Sequence, residues 1–293
     1  MIAFINTVKS RIKKLILKFI PLEIIPFIKH LRSKGRYLTK NSIVLNKITT
    51  GTILIIAPHP DDEIIGMGGV LSMHLDAKSK ITVLYLTDGR HENPNLGFSK
   101  TKMAEIRRKE AESIGKQYFI KQVFWDIEDT CLTNDEETIS RMIKLLEDIR
   151  PEIIYLPSFF DYHCDHFAAN QILAESLKKI SNPQANVVCY EVWDNIPYPN
   201  YIVDISPYFK KKKEMLNYYE TPLKTVDYIK LCDHRNALHY TLYVNSKTSG
   251  HAEAFCYLNS EAYQELYNDY FHALQKFGSN LPSHIKKPLV SGS

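Results

Sequence analysis

The stretch TILIIAPHPDDEIIGM, residues 52–67, decides how the rest of the chain is read. Residues 53–56 are apolar and mostly β-branched, and Pro58 stops the run, which is the pattern of a short buried parallel strand. Whatever follows such a strand stands at its carboxyl end, where open α/β sheets bind ligands. His59, Asp61, Asp62 and Glu63 occupy that place. Carboxylates are almost never fully buried without a partner, so three of them beside an imidazole call for a cation. Capping the next helix is the competing use. At this density a metal ion is the stronger expectation.

Working outward, strand and helix patterns alternate. Residues 63–77 read as a helix whose glycines at 66, 68 and 69 allow close packing on a sheet. Residues 81–86, 122–125 and 153–156 read as further strands, and residues 99–115 and 134–150 as helices between them. Such alternation predicts a Rossmann-like α/β fold, a mostly parallel sheet with helices on both faces. The strand at 153–156 runs into PSFFDYHCDHFAAN, so a second cluster, His163, Asp165 and His166, precedes a helix at 167–180. In a doubly wound sheet the strands at 53–56 and 153–156 are neighbours, and their carboxyl ends share one crevice. Imidazoles and carboxylates meeting there suit zinc, with three protein ligands and one position left for water. Zinc brings the pKa of that water to about 7. Another divalent transition metal is compatible with the same donors. An H-x-x-H alone is weak evidence; opposite HPDDE it is strong.

The 293 residues, 44% hydrophobic and 24% charged, describe an ordinary globular chain with a sizeable core. The five cysteines, at 131, 164, 189, 232 and 256, form no C-x-x-C pair and suggest free thiols in a reducing compartment. Residues 1–40 stand apart, with ten lysines and arginines against the single acid Glu23. Ile5, Val8, Ile12, Leu15, Ile16 and Phe19 recur at helical spacing with lysines opposite. Interrupting charges and prolines exclude a signal peptide and a membrane span. The arm reads as an amphipathic helix that either lies on an anionic membrane surface or docks on the protein's own body. No nucleic-acid motif accompanies its basic residues.

APHPDDE at residues 57–63 and His163-Cys164-Asp165-His166 closely resemble the two signatures of the PIG-L/LmbE-like zinc-dependent N-deacetylases, which act on N-acetylglucosamine-type sugars. The resemblance runs over residues 50–260 and includes the spacing between motifs. It implies that His59, Asp62 and His166 hold zinc, that Asp61 is the general base, and that His163 steadies the tetrahedral intermediate. Arg107, Glu110, Ile114 and Gly115 resemble the family's R-x-x-E helix, which implies that Arg107 contacts substrate. Asp129 is similar to an aspartate that faces the pocket, and Asp165 stands where an acid orienting the catalytic histidine is implied. Two departures stand out. Cys164 replaces the usual proline and is expected to be a bystander. Asp161 takes the place of a mobile tyrosine found in some members, with Tyr162 beside it, which leaves a second oxyanion donor unassigned.

Further along, residues 187–191 read as a strand, Lys210 to Lys213 as a solvated helix face, and residues 257–277 as a closing helix. In HAEAF, residues 251–255, Glu253 or His251 is expected at the pocket rim. The expected organisation is a basic arm at 1–50, a deacetylase-like domain at 51–280 and a tail at 281–293. The expected activity is removal of an acetyl group from a lipid- or nucleotide-linked N-acetylated amino sugar, in the cytoplasm, with the arm holding the enzyme at the inner membrane face. A thiol-cofactor precursor is the alternative substrate. A catalytically silent carbohydrate-binding protein is the alternative role.

Overall fold

The computed structural model describes residues 43–91, 94–181, 183–197 and 199–277. Within them run β1 (Ile43–Leu45), β2 (Thr52–Ala57), α1 (Asp62–Asp76), β3 (Lys80–Thr87), α2 (Lys100–Tyr118), β4 (Lys121–Ile127), α3 (Glu136–Ile149), β5 (Ile153–Pro157) and α4 (Cys164–Lys179). The chain continues through β6 (Asn186–Tyr190), β7 (Tyr201–Asp204), α5 (Phe209–Leu216), α6 (Glu220–Leu223), α7 (Tyr228–His239), β8 (Ala252–Asn259) and α8 (Ser260–Phe277). The proposed amphipathic arm and C-terminal tail lie outside the described residues, apart from residues 43–50 of the arm. Ile43 to Leu45 pair in parallel with Tyr201 to Val203, so that part of the arm is the sheet's edge strand.

The sheet order is β1-β7-β8-β6-β5-β2-β3-β4. Strand β2 lies between β3 and β5, parallel to both, with Ile53 opposite Ile81 on one side and Ile153 on the other. The expected neighbours at the switch point are therefore neighbours. Side-chain alternation along β2 feeds two cores. Ile53 and Ile55 pack with Val70 of α1 and Phe209 of α5, whereas Leu54 and Ile56 pack with Ile172 of α4 and Met142 of α3. All four β2 residues are fully buried, as expected of a strand covered on both faces.

The glycines of α1 permit close contact, as their sequence position suggested. A Cβ at Gly66 would sit 2.1 Å from the Tyr190 ring. The helix is also kinked at Met67, whose backbone (φ −143°, ψ 24°) is not helical. The freed polar groups are satisfied from elsewhere. Glu253 accepts the Gly69 and Val70 N–H groups at 2.9 and 2.8 Å, and Lys212 donates to Ile65 O at 2.9 Å. Lys212 and Glu253 meet at 2.7 Å with both side chains fully buried.

Three expectations are corrected here. Strand β8 is antiparallel and wedged between β6 and β7, so residues 257–259 finish a strand and the closing helix starts at Ser260. Glu253 sits under α1, not at the rim, and His251 stacks on Phe209 with ring centroids 3.6 Å apart. Lys212 leaves the solvated lysine face because it shares the buried stripe of α5 with Phe209, Met215 and Leu216.

Breaking a buried ion pair from one side strands the other charge. Lys212→Met is expected to destabilise the protein by about 3–5 kcal/mol in urea unfolding, and adding Glu253→Gln should recover part of the loss. An unchanged midpoint in the single variant would refute the clamp.

Candidate metal and catalytic site

Two short connections bring the sequence clusters together. His59 to Asp61 link β2 to α1, and Phe159 to His163 lie between β5 and α4, so both clusters gather at helix N-termini on one side of the sheet. Asp61 is the N-cap of α1 yet makes no side-chain capping bond, and its φ of 124° is left-handed, a strained setting for a non-glycine residue. Glu63 accepts the Asp61 N–H at 3.1 Å, and Arg107 donates to Asp61 Oδ2 at 2.8 Å and to the carbonyl of Pro60. Arg107 also meets Glu110, which in turn accepts from Thr221 N and Oγ1. His163 is the N-cap of α4, its Nδ1 accepting the Asp165 N–H at 3.2 Å. The histidine is thus helix cap and site residue at once.

Three donor atoms form a small triangle. His59 Nδ1 and His166 Nε2 each lie 3.2 Å from Asp62 Oδ2, and 3.3 Å from each other. A tetrahedral ion with ligands about 2.0–2.2 Å away would separate them by roughly 3.3–3.6 Å. The ring nitrogens of His59, His163 and His166 also lie within 4.8 Å of one another, as do donors of His59, Asp129, His163 and Asp165. The tighter triangle is the better fit to a single ion, because its edges of 3.2, 3.2 and 3.3 Å lie within about 0.1 Å of a coordination face.

On the far side of His59, Nε2 meets Asp165 Oδ2 at 3.0 Å and Asp129 Oδ1 at 3.2 Å. The resemblance led us to expect Asp165 to orient His163. Its carboxylate turns instead to His59 and to the backbone N–H of Thr130, and only its main chain reaches His163. Asp129 lines the cleft but also holds His59 and accepts the His91 N–H. Arg107, expected to touch substrate, lines the cleft while only 2% exposed, with its guanidinium on Asp61. Asp161, left without a role by the sequence, places Oδ1 3.3 Å from His166 Nδ1. The acid-rich approach to H-x-x-H was the available signal for it.

Electrostatics follow from burial and crowding. Burial opposes a proton on His59, but contacts with Asp129, Asp165 and Asp62 hold its pKa well above the ordinary value. Burial opposes one on His166 too, and Asp62 and Asp161 overcome it, raising that pKa to about 10. Burial would raise Asp62, yet His166 and His59 hold it well below the usual carboxylate range. Asp61 is pushed up to about 8 by burial, with Arg107 working against the shift. His163 is pushed down to about 4 by burial and by the neighbouring imidazoles. Burial and the charge of Asp165 raise the Cys164 thiol to about 11, in keeping with a bystander.

The cleft at the triangle holds about 570 Å³, and Trp193, Thr225, Val226, Tyr228, His91 and Asp129 are among the residues that line it. The rings of Trp193 and Tyr228 meet edge to face at 5.7 Å. Tyr162 is half exposed and lies 6.4 Å from Trp193.

This fold and site define an α/β protein with a buried His/Asp cluster able to bind a metal. Residues 54–177 match the family PIG-L: GlcNAc-PI de-N-acetylase. The diacetylchitobiose deacetylase of Thermococcus kodakarensis is 28% identical over 138 residues, 46% of this chain and 52% of that protein. The 4-oxalmesaconate hydratase of Pseudomonas putida is 26% identical over 129 residues, 42% of this chain and 50% of that one. The chain therefore spans about half the length of these curated relatives. The solved N,N'-diacetylchitobiose deacetylase of Pyrococcus horikoshii shares the fold, with a TM-score of 0.59 and 24% identity over 72% of this chain and 85% of that chain. Residues 54–177 thus form a PIG-L family domain. Among the described residues no helix is long and apolar enough to cross a membrane.

The triangle predicts uptake of one divalent ion per chain, with affinity falling as pH drops because imidazole protons compete with the ion. Elemental analysis should find little metal in His166→Ala. Full metal content in that variant would remove His166 from the ligand set.

Proposed function

We propose that the protein is a zinc-dependent hydrolase that removes the N-acetyl group from an N-acetylated amino sugar. The observation that carries this reading is the triangle of His59 Nδ1, Asp62 Oδ2 and His166 Nε2, with Asp61 and His163 on the same cleft. Two imidazoles and a carboxylate are a set that zinc selects. Bound there, zinc supplies Lewis-acid polarisation of the amide carbonyl and acidifies an adjacent water.

The chain's own groups supply the rest. Asp62 Oδ2 is committed to both imidazoles, so its neighbour Asp61 is the carboxylate available to take a proton from the attacking water. Arg107 engages Asp61 Oδ2 and thereby fixes the direction of the carboxylate. With His163 Nδ1 acting as an acceptor, the proton of its neutral ring is assigned to Nε2. That N–H is a donor for the carbonyl oxygen as it gains charge. As the C–N bond breaks, the proton held by Asp61 passes to the departing amine, leaving acetate and a free amino sugar. Trp193 and Tyr228 offer an apolar face on which a sugar ring can stack.

The relatives named for sugar deacetylation support this reading. A lipid- or nucleotide-linked substrate, read at an anionic surface, is its finer form, and the basic composition of residues 1–40 is its support. The hydratase relative favours a second reading, addition of water to a double bond. A silent carbohydrate-binding role is disfavoured by Asp61, because a retired site has no use for a strained, buried base. Mass spectrometry after incubation with a panel of acetylated sugars separates these: loss of one acetyl group supports the deacetylase, and intact sugars throughout would sink it. Asp61→Asn is expected to keep its metal and lose about 100-fold to about 10,000-fold in turnover. Unchanged turnover would show that Asp61 is not the base.

A further inference from the structure

We infer that Asp161 is a positioning residue of the metal site, whose carboxylate sets the ring of His166 and ties it to the aromatic wall of the cleft. The inference rests on the metal triangle proposed above. Asp161 follows β5 in a turn closed by its own N–H on Ser158 O at 3.0 Å, and its side chain is fully buried. Oδ1 lies 3.3 Å from His166 Nδ1 and accepts the His163 N–H at 3.2 Å, while Oδ2 accepts the Trp193 N–H at 2.9 Å. One carboxylate therefore spans the triangle, the cap of α4 and the loop that carries Trp193.

An imidazole that ligates through Nε2 carries its proton on Nδ1, and in a dry site that proton needs an acceptor. His166 Nδ1 is buried and makes no formed hydrogen bond among the described residues. Asp161 Oδ1, 3.3 Å away, is at ion-pair distance from it and is the carboxylate oxygen placed to take that proton. All three groups facing Asp161 are N–H donors. An asparagine offers a single acceptor oxygen and adds donors of its own, so one N–H always confronts another.

The test is zinc competition against a chromophoric chelator for the full chain, Asp161→Asn and Asp161→Ala. Both variants should keep the wild-type circular dichroism spectrum and bind zinc about 10-fold to 100-fold more weakly, and the visible absorption of their cobalt-loaded forms should shift. Wild-type affinity in either folded variant overturns the assignment. If neither variant folds, nitrogen-15 spectra of the zinc-loaded wild type decide the matter: a proton on His166 Nδ1 is expected, and metal on Nδ1 overturns it. A wild-type chain that takes up no zinc overturns the proposed function, and this assignment with it.

Discussion

Negative charge packed around one partly buried imidazole, that of His59, sets the terms for the rest of the structure. Carboxylate oxygens of Asp62, Asp129 and Asp165 all lie within 3.2 Å of a ring nitrogen of His59. They arrive from three segments: the start of α1, the loop after β4 and the start of α4. Buried carboxylates persist only where positive charge and hydrogen bonds offset their desolvation. This crevice answers with protonatable imidazoles and with backbone N–H groups, such as that of Thr130 on Asp165. The strand order is what makes the gathering possible, since β2 must lie directly beside β5 for His59 to meet His166 across the switch point.

Buried polar groups also converge on the strained Asp61. Asp61 sits at φ 124°, a setting that costs about 1–3 kcal/mol and persists only if its neighbours over-determine it. Glu63 takes its N–H, Arg107 takes its carboxylate and the carbonyl before it, and Tyr85 and Tyr219 both donate to Glu63. Arg107 is itself braced by Glu110, which is fixed by Thr221 at the start of α6. Residues far apart in the chain thus converge on one backbone torsion. Arg107 of the R-x-x-E pattern is thereby turned onto Asp61, with Glu110 bracing it from behind.

The site was legible in the sequence to the extent that charge at the end of a buried strand is improbable for any structural purpose. HPDDE and H-x-x-H announced themselves in that way, and the alternation of strand and helix placed them on one crevice. Side-chain direction was not legible. Asp165 faces His59 instead of His163 because Thr130 and Leu132 present N–H groups on that side, a long-range fact without a local signature. Strand β8 escaped because strand–helix alternation implies parallel neighbours, and an antiparallel insertion leaves no mark on it. Lys212 is a different kind of miss. Spacing from Phe209 to Lys212 to Leu216 puts the lysine on the apolar stripe, but four lysines in a row masked the period.

Asp61 shows how the layers depend on one another. Burial raises its pKa to about 8 even with Arg107 beside it, so near neutrality much of this carboxyl would hold a proton and could not accept another. A general base works best when its pKa lies near the operating pH. Positive charge beside Asp61 already works against that rise, from Arg107 and from His59 of the triangle, because an opposite charge nearby favours the ionised form. On the proposed reading, the desolvation that looks like a penalty at Asp61 is what brings the pKa of its carboxyl close to neutrality, while Arg107 and His59 keep it from rising further.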